Sequence, residues 1–170
     1  MKKYILLYGD KKKEDNIVLK NMFKNTKQIN LGWTDFDYNN NIKIIEEEIK
    51  NGLDQIIFSG LEIGWDKLVK FIKEKYPKIT IKVICNTLDS LLYYEYEREN
   101  FFKLLELSKQ GLVDDIAFLR KGQYLVYNSL GYKTSYLMQN YILSKDKKKE
   151  IKKKNDIIDI RNIPTKLHMG

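Results

Sequence analysis

The chain has 170 residues, 43% of them hydrophobic, a formal net charge of +8 and only two prolines, which suits one globular domain with a real core rather than a disordered or fibrous chain. No apolar run approaches the roughly 18 residues of a membrane-spanning helix, and the run after the N-terminal lysines is too short for a signal peptide, so a cytoplasmic location is expected. One cysteine, Cys85, and one histidine, His168, exclude a disulfide framework, a cysteine zinc site and a histidine-based triad, and neither a metal centre nor a cofactor is expected.

Tyr4 to Tyr8 reads as a buried strand stopped by Gly9-Asp10, with a helix expected near Asp15 to Lys24 and a short second strand at Asn30 to Trp33. Ile42, Ile45 and Ile49 then fall at helical spacing, and Asn51-Gly52 supplies a helix stop. Gln55 to Ser59 is a strand. Ser59-Gly60-Leu61-Glu62 has capping-box spacing ahead of a helix whose apolar face is Trp65, Leu68, Val69 and Ile72. Thr80 to Cys85 is the central strand. A long helix from Ser90 to Lys109 is expected to carry Leu91, Tyr94, Phe101 and Leu105 on one stripe, with Arg98 among them. Asp115 to Leu119, Gly122 to Leu130 and Thr134 to Met138 read as strand, helix and strand.

From residue 144 the chain turns lysine-rich, and charge separates the two parts. Residues 1 to 143 hold 22 basic and 19 acidic side chains, whereas 144 to 170 hold 9 and 4. The first part has a mixed surface without a nucleic-acid motif, so no specific nucleic-acid partner is expected. The second reads as a charged connector with weak, screened attraction to a membrane surface.

Strands alternating with helices predict an α/β domain over residues 1 to 143, doubly wound, with a mostly parallel Rossmann-like sheet of five or six strands and helices on both faces. Ligands of such sheets gather beyond the carboxyl ends of the strands. The turns there supply Gly9, Ser59, Gly60, Asn86, Thr87, Arg120, Lys121 and Asn140 as binding candidates. Arg98 joins them because a guanidinium on an apolar stripe needs partners. Asp89 and Asp10 are the acids able to accept a proton from a substrate hydroxyl, although an Asp before a helix also serves as a cap. No dinucleotide fingerprint or P-loop follows the first strand.

The stretch from Val113 to Asn140, in which a strand (DIAFL) leads to a helix closed by Leu130-Gly131, a last strand (YLM) and an asparagine, resembles the end of the N-terminal domain of GT-B glycosyltransferases. The segment VICNTLDSLLYYEYEREN is similar in placement to that domain's acceptor-side strand and helix. The resemblance implies the acceptor-binding half of a nucleotide-sugar-dependent transferase, inactive alone. Its partner would be a sugar or other hydroxylated acceptor, and it would take a nucleotide sugar only together with a C-terminal domain, whose opening strand Lys166 to Gly170 would begin. The alternative is a stand-alone flavodoxin-like binding or regulatory module without catalysis.

Overall fold

A computed structural model describes residues 3–9, 22–32 and 36–137. Six strands, β1 (Tyr4–Tyr8), β2 (Lys27–Asn30), β3 (Gln55–Ser59), β4 (Thr80–Cys85), β5 (Asp115–Phe118) and β6 (Thr134–Tyr136), form one sheet in the order β2-β1-β3-β4-β5-β6. Every pairing is parallel, with Leu6 opposite Gln28 and Ile57, and Ile84 opposite Ser59 and Ala117. The α/β class and the strand count expected from sequence are therefore observed, with a sheet that is wholly rather than mostly parallel.

Four helices are described: α1 (Tyr38–Lys50), α2 (Trp65–Lys75), α3 (Glu95–Lys109) and α4 (Lys121–Ser129). All four pack on one face of the sheet. Ile5, Leu7, Ile56, Phe58, Ile81, Val83, Ile116 and Phe118 meet Ile45, Trp65, Leu68, Ile72, Phe101 and Leu104 there, with Tyr124 and Tyr127 of α4 against them. Right-handed crossovers require this, since the steps from β2 through to β6 all run in the same direction across the sheet. The step from β1 to β2 runs the other way and returns on the opposite face. There Met22 and Phe23 pack on Leu6, Ile57, Ile84 and Ala117, beside Leu119 and Leu137. Both faces are thus apolar, which is why the strands read as continuous hydrophobic runs.

Three local expectations are corrected. The second strand lies at Lys27–Asn30, earlier than Asn30 to Trp33, because Leu31 makes its last bond to the Tyr8 carbonyl and Gly32, at φ 75, turns away. The capping box at Ser59 does not form: α2 begins only after Gly64, at φ 81, and Glu62 instead accepts from the Tyr96 hydroxyl. The long helix is two pieces. A 3₁₀ turn, Asp89–Tyr93, ends at an extended Tyr94 (ψ 125) before α3 starts. Tyr94 and Arg98 are both exposed, while Asn100, Phe101, Leu104, Leu105 and Leu107 form the buried face. The helix expected at Asp15 to Lys24 lies largely outside the described residues.

The amino edge of the sheet is tied by three acids. Asp54 accepts from the Lys3 amide at 2.9 Å. Asp114 accepts from the Ile81 amide at 2.7 Å and pairs with Lys73 at the same distance. Asp115 accepts from Ser135 at 2.8 Å and lies 3.2 Å from Lys82. Phe58, fully buried and 5.8 Å from the Trp65 ring, sits at the centre of the packed face. Phe58→Ala is expected to cost about 3–5 kcal/mol of stability, read as a fall in the urea midpoint with little change in slope.

Candidate functional site

The carboxyl ends of the strands bring the candidate residues to one edge, in two clusters of different character. The first is at the switch point between β1 and β3. Gly9 is buried there, and a Cβ on it would stand 3.3 Å from Trp65 Cζ2 and 3.4 Å from the Gly32 carbonyl oxygen. Close backbone packing is why this turn carries glycine. Buried Asn41 of α1 donates to the Leu31 carbonyl at 3.0 Å, which closes the turn after β2. Among the described residues, the buried Trp65 ring occupies the space beside Gly9 at this switch point. Asp10 lies outside the described residues, as does Asn140.

The second cluster runs along the ends of β3, β4 and β5. Ser59 is buried, and its hydroxyl accepts from Asn86 Nδ2 at 3.3 Å. Gly60, at φ 88, donates its amide to the Ile84 carbonyl at 2.9 Å. The positive φ makes glycine the residue this crossing from β3 tolerates. Asn86 Oδ1 is buried with no hydrogen-bond partner among the described residues. Thr87 Oγ1 donates to Glu97 at 3.2 Å, tying the turn after β4 to the first turn of α3. Gln123 Nε2, buried on α4, donates at 3.0 Å to the Thr87 carbonyl and at 3.0 Å to Asp89 Oδ1. Asp89 is itself exposed, and Tyr93 and Tyr94 project beyond it at 86% and 60% exposure.

Arg120 and Lys121 open α4 beside this turn, both exposed, with no side chain capping the helix. Two cations at a helix N-terminus favour an anionic group. The structure therefore gathers Ser59, Gly60, Asn86, Thr87, Asp89, Arg120 and Lys121 along one polar strip at the ends of β3, β4 and β5. Arg98 is exposed on α3 and bonds through its backbone amide to the Tyr94 carbonyl, so a buried guanidinium organising the site is not observed.

The strip is a lip rather than a vault. Behind it, Gly60, Cys85, Asn86, Thr87, Asn100 and Phe101 line a cavity of about 10 Å³. That holds about one water at most, so a larger ligand would bind at the open edge. Among the described residues no cluster of His, Cys, Asp and Glu could hold a metal ion, and no helix is long and apolar enough to cross a membrane.

Two features escaped the sequence reading. Gln123 was visible only as the last residue of a basic turn, and its inward position, four residues before the core-facing Tyr127, was the available signal. Glu62 and Tyr96 pair across 34 residues and left no local trace.

Cys85 is 3% exposed, and burial pushes its thiol up to about 12. At pH 8 the native chain is expected to react with a thiol-modifying reagent about a thousandfold more slowly than the denatured chain. Rapid native labelling would show that the end of β4 opens.

No family model, curated protein or solved structure matches the chain.

Proposed function

We propose that this domain is the acceptor-binding half of a nucleotide-sugar-dependent glycosyltransferase of the GT-B kind. The observation that carries the reading is the open polar strip on the carboxyl edge of an all-parallel sheet, with exposed Asp89 at its centre and Arg120 and Lys121 beside it. Such a lip suits a hydroxylated acceptor held between two domains, and its shallow form suits a ligand covered from the other side. Asn86, Thr87 and Ser59 offer hydrogen bonds to acceptor hydroxyls. Asp89 is the general base. The acceptor oxygen attacks the anomeric carbon of the donor, the bond from that carbon to the nucleotide diphosphate breaks, and the hydroxyl proton passes to the Asp89 carboxylate.

Nucleotide sugar would be held by a second, donor-binding domain, so the 170-residue chain is expected to show neither transfer nor donor hydrolysis. Robust turnover without an added partner overturns the half-enzyme reading. Millimolar glucose or N-acetylglucosamine, used as probe acceptors, is expected to shift the amide NMR signals of residues 59–62, 86–89 and 120–123. Asp89→Asn is expected to weaken those shifts. A response unchanged by Asp89→Asn removes that residue from the site.

The strand order supports a second reading. The run 2-1-3-4-5 is that of flavodoxin-like folds, which bind ligands at the switch between the first and third strands. A stand-alone binding module of that type would concentrate ligand-induced shifts at Gly9 and Gly32, away from the strip around Asp89.

A further inference from the structure

The acceptor reading gives Gln123 no task, yet among the residues of the lip its side chain is set deep, at 5% exposure. Its one amide nitrogen donates to two acceptors, the Thr87 carbonyl and Asp89 Oδ1, 36 and 34 residues away in sequence. The turn that receives these bonds has little else to hold it. The 3₁₀ segment Asp89–Tyr93 buries no residue, no side chain caps it, and Tyr93 is almost wholly in solvent. A projecting turn that meets the core only through partly buried side chains such as Leu92 keeps its shape largely through polar ties or opens locally. Here those ties are Thr87 to Glu97 on one side and Gln123 on the other, with a weaker contact from the Cys85 thiol to the Thr87 carbonyl at 3.9 Å.

We infer that Gln123 is the positioning residue of the lip, locking the turn after β4 and the Asp89 carboxylate onto the rigid frame of α4. The role in catalysis rests on the acceptor reading; the clamp itself does not. A neutral amide fits the task because it offers one hydrogen to each of the two acceptors. An ionised carboxylate at 123 would offer Thr87 and Asp89 no donor. An aliphatic chain of similar length would leave the Thr87 carbonyl with only the weak Cys85 thiol donor at 3.9 Å. The geometry also binds two strand ends into one unit, since α4 follows β5 and the clamped turn follows β4.

The test is amide hydrogen exchange over residues 87–93, with the Asp89 carboxyl titration followed by NMR, on the full chain and on Gln123→Met and Gln123→Glu. In Gln123→Met, protection factors over 87–93 are expected to fall roughly tenfold, while β3 and β4 keep theirs. In Gln123→Glu the protonated carboxyl still has one donor. Protection is therefore expected near the wild-type level in acid and is lost as the pH rises through the carboxylate range, where the new charge faces Asp89.

The other ionisable groups about this turn are Glu97, Arg120, Lys121, Cys85 and Tyr127. Cys85 and Tyr127 stay neutral, because burial pushes both upward. Glu97 is common to all three proteins, so the difference between variants reports the contact at 123. Unchanged protection and an unchanged Asp89 titration in both variants overturn the inference. A loss of protection that spreads through β3 and β4 and does not recover in acid also overturns it, by making Gln123 an ordinary core residue. None of these readouts needs a sugar, so the clamp and the acceptor reading fail separately.

Discussion

Parallel pairing forces every strand of a sheet to be entered from the same side, and that constraint decides where this protein can act. Six amino ends collect at one edge and six carboxyl ends at the other. The two edges then take different parts. At the amino edge, Asp54, Asp114 and Asp115 accept from strand amides or neighbouring side chains and hold the strand starts in register. At the carboxyl edge, polar side chains crowd the turns, hydroxyls and amides stand near the surface, and one buried oxygen, Asn86 Oδ1, has no partner among the described residues. The first edge is tied shut by these bonds, and the second leaves polar groups near the surface.

Within the carboxyl edge, packing separates a filled part from an open one. Trp65 lies fully buried against Gly9 and Phe58, so the centre of the sheet is closed by an indole where related topologies leave a crevice. The polar strip is displaced toward β4 and β5. There the chain crosses from strand to helix through a turn that buries almost nothing, and the turn owes its shape to Gln123 and Glu97. Rigid scaffold and loosely packed turn are neighbours, the arrangement that lets a fold keep its stability while its binding surface adapts.

Much of this was legible in the residues. The runs YILLY, QIIFS and TIKVIC gave strand bounds that match β1, β3 and β4, because a strand buried on both faces is apolar throughout and its turns are polar. Trp65, Leu68, Val69 and Ile72 mark the inner face of α2 by their spacing alone. What periodicity misplaced were the ends of elements. At Tyr94 the helical stripe is kept by residues 101 to 107 and broken before them, since Glu62 draws in the Tyr96 hydroxyl from the next crossing and the chain unwinds ahead of it. Contacts of that kind join residues 30 or more apart and leave no pattern in a window of a few turns. The same holds for the site: Asn86, Thr87 and Asp89 could be found by their place after a strand, but Gln123, which holds two of them, had only its spacing from Tyr127 to mark it.

A lip with only about 10 Å³ behind it has a kinetic consequence. A cavity of that size encloses nothing larger than a water, so encounter with the described strip should be limited by diffusion and orientation, and departure should be quick. Residence time, and with it commitment to any chemistry, would then belong to whatever surface closes from the opposite side. Under the acceptor reading, this edge would decide which molecules are sampled and a closing domain which are kept.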